Sequence, residues 1–151
     1  MPVLTMLIGI PGSGKSTYCA NFLKQFPQTV YLSSDAMRLK LFGNEEYQAS
    51  NTEVFDAMEA AAKQALREGK DVLLDATNLL ARNRKNTLDF VKAIPGANAK
   101  AVVFKVPLKV CLERNRNRSR VVPESVIRRM RRQMELPSTQ EGFQQIRWIY
   151  N

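Results

Sequence analysis

Apolar residues in this chain come in short continuous runs, and between them the hydrophobic spacing turns helical. Val3 to Ile8 is such a run and ends at Gly9, the pattern of a strand buried on both faces. Thr29-Val30-Tyr31-Leu32 predicts a second strand, rich in β-branched and aromatic residues. Val72-Leu73-Leu74 predicts a third and Ala101 to Val106 a fourth. Lys15 to Phe26 reads as a helix that stops at Pro27. Ser34 is placed to cap a short helix through Arg38 to Phe42, with Gly43 as its stop. From Asn51 to Glu68, Val54, Met58, Ala61 and Ala65 recur at helical spacing. Ala81 to Ile94 is a helix closed by Pro95-Gly96. Two more start at Pro107 and Pro123, the last with Val126, Ile127, Met130 and Met134 on one apolar face. This alternation predicts an α/β fold: a parallel sheet joined by right-handed crossovers, with helices on both faces.

The first strand-to-helix turn carries the chemistry. Gly9-Ile10-Pro11-Gly12-Ser13-Gly14-Lys15-Ser16 fits G-x-x-x-x-G-K-[ST] throughout and stands after a strand and before a helix, as the motif requires. Its glycines let the backbone N–H groups turn inward and, with the helix N-terminus, form a nest for nucleotide phosphates. Lys15 can reach the β- and γ-phosphates, and the Ser16 hydroxyl can ligate Mg²⁺. A ligand-free Gly-rich turn has no use for that lysine and serine. No Asn/Thr-Lys-x-Asp guanine reader follows, which argues against a GTPase.

A kinase also needs a proton acceptor, a holder for the acceptor substrate and cations for the transferring phosphoryl group. Ligands of an open parallel sheet lie beyond the C-terminal strand ends. Asp35 and Arg38 follow the second strand directly and share one helix face, three residues apart. Asp35 can orient a hydroxyl and take its proton, while Arg38 can grip a phosphate in bidentate fashion. The same spacing equally suits an N-terminal Asp favoured by the helix dipole and paired with Arg38. Asp75 ends the third strand, where it could hold a water on Mg²⁺ or fix another site residue. Leu112 to Arg120 has arginines at alternate positions; in a helix Arg114 and Arg118 share a face and could close over a triphosphate. Arg116 and Arg120 would then face solvent or nucleic acid.

Composition sharpens this picture. Of the net charge of +9, residues 105–132 carry +8, from ten basic and two acidic side chains. Such a field suits a polyanionic partner. Arg128, Arg129, Arg131 and Arg132 read as a solvated face or a loose electrostatic guide. With 151 residues the chain has room for one domain, expected to span 1–151. No run approaches the roughly 20 apolar residues of a membrane span. The N-terminus lacks the basic region of a secretory signal, so the expectation is a cytoplasmic protein with Cys19 and Cys111 reduced. The absence of histidine and the wide separation of the two cysteines argue against zinc.

Taken together the chain resembles the kinase module of 5′-hydroxyl polynucleotide kinases of the phage and bacterial nucleic-acid repair type, over nearly its whole length. The resemblance rests on Gly9 through Thr17, Ser34-Asp35-x-x-Arg38, Asp75-Ala76-Thr77-Asn78, Glu113-Arg114-Asn115-Arg116-Asn117-Arg118, Val122-Pro123-Glu124-Ser125-Val126-Ile127 and Glu141-Gly142-Phe143. It implies a P-loop NTPase-type sheet with a helical arginine-rich lid. It implies ATP and Mg²⁺ held by Gly9, Pro11, Gly12, Ser13, Gly14, Lys15, Ser16 and Thr17, with Ser16 on the metal. Asp35 would be the general base, Arg38 the holder of the acceptor phosphate, and Arg114 and Arg118 the clamp on the donor. Asp75 would support the nucleotide site. The implied partners are a nucleic acid with a 5′-OH end and separate phosphatase or ligase repair proteins, with no membrane. Two other readings use the same residues: a kinase for a small-molecule hydroxyl, which needs less basic field, and an ATP-gated nucleic-acid-binding module, which needs no Asp35.

Overall fold

The computed structural model describes residues 1–43 and 51–151. Five strands form one sheet: β1 Val3–Ile8, β2 Val30–Ser33, β3 Val72–Asp75, β4 Asn98–Phe104 and β5 Gln145–Ile149. All pairings are parallel, in the order β2-β3-β1-β4-β5. Among the described residues six helices cover it: α1 Lys15–Gln25, α2 Ser34–Phe42, α3 Asn51–Arg67, α4 Ala81–Lys92, α5 Leu108–Arg116 and α6 Glu124–Gln133, with a short 3₁₀ turn at Thr139–Glu141. The fold is the α/β P-loop kinase fold.

The continuous apolar runs have the expected cause. In β1, Leu4, Met6 and Ile8 pack on one face with Val54, Met58 and Leu66 of α3, Leu88 and Val91 of α4, and Phe143. Leu7 points to the other face, with Cys19 of α1, Cys111 and Leu112 of α5, and Ile127 of α6. Each fully buried aliphatic side chain of this kind contributes about 1.5–3 kcal/mol. A strand buried on both faces has no polar side to show, so its sequence does not alternate.

Three details differ from the sequence expectations. The cap of α2 is Ser33, whose Oγ accepts from Ala36 N at 3.3 Å; Ser34 is the first helical residue and is buried. β4 begins earlier, at Asn98, and ends at Phe104, because its first residues pair with β1 from Val3 onward. The fifth strand was not anticipated. β5 is an edge strand in which only Ile146 and Ile149 are half-buried and the rest exposed, so it carries no continuous apolar run. In the parallel sheet all strands end on one side, and the Ser33–Asp75 register sets the start of α2 beside the end of β3. That edge carries the site.

Candidate active site

The loop from Gly9 to Ser16 is held tightly on both sides. Gly9 N donates to Thr77 O at 3.1 Å, tying the loop to the segment after β3. Gly12 adopts φ +82°, and a Cβ there would lie 2.3 Å from the Cys111 carbonyl oxygen, so the loop backbone rests directly on α5. Gly14, at φ +101°, caps α1 without a side chain, and the first turn of α1 holds no acidic residue. Its N–H groups are therefore open to an anion. Lys15 Nζ donates to Gly9 O at 2.7 Å and Ile10 O at 3.2 Å, folding back beneath the loop. Burial there pushes the ammonium down to about 8; Asp75 and Asp35 pull it up, and Arg118 pushes it further down. Ser13 Oγ is buried with no hydrogen-bond partner among the described residues. An unpaired buried hydroxyl, an uncapped helix start and a lysine resting on loop carbonyls together fit a nucleotide's phosphate chain. Ser16 stands exposed at the start of α1. Among the described residues no three His, Cys, Asp or Glu side chains cluster as a metal cage. The donor set fits a Mg²⁺ ion bound through one hydroxyl and substrate phosphates.

A pH dependence follows from Lys15. An anion on the loop favours the charged ammonium, so the bound form holds its proton to higher pH than the free protein. Below about pH 8 the free lysine is already charged and binding moves no proton. Above it, binding takes up a proton, and affinity for ADP should fall by up to about tenfold per pH unit. Calorimetric titration in buffers of different ionisation enthalpy measures the uptake; Lys15→Arg should remove it.

Asp35 lies in the first turn of α2, where Oδ1 accepts from Arg38 Nη1 at 3.2 Å. The spacing does bring the two onto one face, and Arg38 is buried. The second oxygen was not foreseen: Oδ2 accepts from Arg120 Nη1 at 3.0 Å. Arg120 was expected to face solvent or nucleic acid. It instead turns inward, because the chain leaves the helical path before reaching it and the acidic partner lies across the site.

Asp75 sits at the end of β3 beside the phosphate loop. Tyr31 Oη donates to its Oδ2 at 2.5 Å. Burial and then the Asp75 charge push the nearby Cys19 thiol up to about 12, so it stays neutral. Burial and the bond to Asp75 likewise raise Tyr31. The carboxylate is thus held by the neutral Tyr31 hydroxyl while its charge acts on Lys15. The following turn is pinned by Asn78, at φ 49°, whose amide donates to Leu7 O at 2.7 Å. Beneath it lies a group that sequence reasoning missed. The guanidinium of Arg84 is fully buried: Nη1 donates to Asn78 O and Leu79 O at 2.9 and 3.0 Å, and Nε and Nη2 donate to the Glu141 carboxylate at 2.9 and 3.2 Å.

The arginine segment is only partly helical. α5 ends at Arg116, and Asn117 N and Arg118 N close the last turn on Arg114 O and Asn115 O at 3.2 Å. Arg114 and Arg118 therefore do not share a helix face, as their spacing predicted, yet both converge on the phosphate loop. Arg114 Nη1 lies 3.6 Å from where a Gly14 Cβ would be, and the charge of Arg118 is felt at Lys15. Beyond the helix the chain forms a loop closed at its base by buried Asn115, which donates to Val122 O at 2.7 Å and accepts from Val122 N at 3.0 Å. Arg116 faces outward and pairs with Glu124 at 2.8 Å. On α6, Arg128, Arg129 and Arg132 are exposed, whereas Arg131 donates to Val106 O at 2.6 Å. No helix among the described residues is long and apolar enough to cross a membrane.

This geometry can be set beside known proteins. The model of an AAA domain family matches residues 4–137. Transcription factor bHLH140 of Arabidopsis thaliana is 29% identical over 157 aligned positions, covering 99% of this chain and 16% of that protein. L-seryl-tRNA(Sec) kinase of Methanococcus maripaludis is 27% identical over 146 positions, covering 93% of this chain and 56% of that enzyme. A chain of the Pnkp1/Rnl/Hen1 RNA repair complex superposes with a TM-score of 0.77 at 26% identity, over 87% of this chain and 43% of its own length. The chain thus spans only 16% and 56% of the curated relatives it matches. With an intact phosphate loop at the C-terminal edge of a β2-β3-β1-β4-β5 sheet, and a family model covering most of its length, the chain belongs to the AAA domain family as a P-loop kinase module.

Proposed function

We propose that this protein transfers the γ-phosphate of ATP to a 5′-hydroxyl end of RNA or DNA, in nucleic-acid repair. The observation that carries the reading is the pair formed by Asp35 and buried Arg38 on one helix turn beside the phosphate loop. A guanidinium one turn from a carboxylate offers a phosphate holder next to a base, the demand made by a hydroxyl flanked by a phosphodiester. A small sugar or nucleoside has no phosphate for Arg38 to hold. The likeness to a chain of an RNA repair complex and to a kinase of an aminoacyl-tRNA supports an RNA-linked hydroxyl as acceptor.

In this mechanism the acceptor oxygen attacks the γ-phosphorus, the bond from that phosphorus to the β,γ-bridging oxygen breaks, and ADP leaves. The hydroxyl proton passes to Asp35. Lys15 leaves its loop carbonyls for the phosphates, and Arg114 and Arg118 meet the charge that builds on the transferring group. Mg²⁺ would be held by Ser16 with the nucleotide's own oxygens and would supply further charge neutralisation there. Asp75, held by Tyr31, keeps Lys15 charged and in place.

Transfer of labelled γ-phosphate tests the reading. Acceptors are a 5′-OH oligonucleotide, the same oligonucleotide already 5′-phosphorylated, and a panel of small alcohols and nucleosides, with Lys15→Ala as control. Label on the 5′-OH oligonucleotide alone, lost in Lys15→Ala, is the expected result. Label on a small acceptor alone overturns the substrate, and ATP-dependent oligonucleotide binding without transfer points to a binding module.

A further inference from the structure

Both oxygens of Asp35 accept from guanidinium groups in the arrangement seen, Oδ1 from Arg38 and Oδ2 from Arg120, so an incoming hydroxyl competes with a cation at either oxygen. Opening one pair gives a hydroxyl a whole oxygen. Arg38 is the fixed partner: it is buried and bonds within its own helix, three residues along. Arg120 is the partner that comes from across the fold. It reaches Asp35 from 85 residues away, and its side chain retains 23% exposure. It stands on the loop whose ends are clasped by Asn115 and Val122 and which has no regular secondary structure between Asn117 and Val122.

We propose that Arg120 determines acceptor specificity: it is parked on Asp35 until an acceptor phosphate takes over its guanidinium. The inference rests on the polynucleotide reading above. A phosphate held by Arg38 arrives beside Arg120 with the same charge and bidentate geometry as the carboxylate it replaces. Arg120 exchanges Oδ2 for a phosphate oxygen, and Oδ2 is released to the neighbouring hydroxyl. Binding of the acceptor and unmasking of the base become one event. Because Arg118 lies two residues before Arg120 on the same loop, the exchange also shifts a cation of the donor site. With no acceptor present the base stays masked, and water is a poor substitute nucleophile.

The test compares wild type with Arg120→Ala and Arg120→Lys on two acceptors, a 5′-OH nucleoside 3′-phosphate and the same nucleoside without phosphate, and measures ATP hydrolysis with no acceptor. Wild type should favour the phosphorylated acceptor strongly. Arg120→Ala should lose about tenfold or more of that preference, mainly in KM, while acceptor-free hydrolysis rises severalfold. Arg120→Lys should restore part of both. Equal loss on both acceptors with no rise in hydrolysis would mark Arg120 as merely structural and overturn the proposal, as would an unchanged preference. If wild type phosphorylates neither acceptor nor an oligonucleotide, the polynucleotide reading fails separately. The masking is then judged by hydrolysis and by amide hydrogen exchange over residues 117–122. Arg120→Ala and Asp35→Ala should each speed that exchange, and the double variant no more than either. No change in exchange or hydrolysis sinks it.

Discussion

Asp35→Ala should lower the turnover of phosphoryl transfer by about 10²–10⁴-fold, the range for loss of a general base, while ATP still binds. The split arises because Asp35 stands on α2, whereas the phosphates are received by the loop and α1. Steady-state kcat and KM, with a separate titration of ATP, measure the two effects. Wild-type turnover in the variant would remove Asp35 from the chemistry. The alanine also strips Arg38 of the Oδ1 contact at 3.2 Å and leaves a buried guanidinium short of charge. Asp35→Asn, which keeps the shape and an acceptor oxygen but cannot take the proton, is therefore the companion variant. The same loss of turnover in both, with the asparagine form as stable as wild type, isolates the base from its structural duty.

Arg84→Ala should destabilise the protein by about 3–5 kcal/mol, the cost of breaking a buried ion pair from one side. Four acceptors lose a donor together, and two of them, Glu141 Oε1 and Asn78 O, keep no other among the described residues, whereas Glu141 Oε2 retains Ser138 N and Leu79 O retains Glu135 N. For a domain of this size that corresponds to a melting temperature lower by on the order of 10 °C. Thermal unfolding followed by circular dichroism reads it directly. A shift within a degree or two would mean that water or a neighbouring donor takes over the site. The variant should also bind nucleotide less well, since Asn78 lies one residue beyond Thr77, whose carbonyl receives Gly9 N.

Legibility in the sequence followed the range of the interaction. β1, β3 and the end of β4 were readable because strands buried on both faces are apolar, and the edge strand β2 because its residues are β-branched and aromatic. β5 was not, because in Gln145-Ile146-Arg147-Trp148-Ile149 the half-buried Ile146 and Ile149 fall on opposite faces with exposed residues between them. The phosphate loop was readable residue by residue, since its glycines, lysine and serine are demanded by local backbone geometry and by the ligand. The Asp35–Arg38 pair was readable because both lie on one helical turn. The Arg120 contact was not, because it closes across 85 residues and nothing local marks which of four alternate arginines turns inward. The helical lid was over-read for a related reason: alternate arginines have no apolar stripe to hold a helix beyond Arg116. Arg84 did leave a signal. It occupies the position four before Leu88 and seven before Val91, on the one face that α4 buries. Among Arg82 and Lys85 it looks like another surface charge, and only that stripe distinguishes it.

The Arg84–Glu141 pair also constrains the order in which the molecule can be completed. Its members are 57 positions apart, so at a synthesis rate of about 5–20 residues per second the cation emerges roughly 3–11 s before its carboxylate. Once Phe104 has followed, β1 to β4 can pair for the rest of that interval, but the turn beneath the phosphate loop has no anion to close on and one edge of β4 waits for β5. A nascent chain at this stage is a sheet without its last strand and with an unneutralised charge in its interior, the form most open to proteases and chaperones. Closure of the pair is the step at which the nucleotide site becomes permanent.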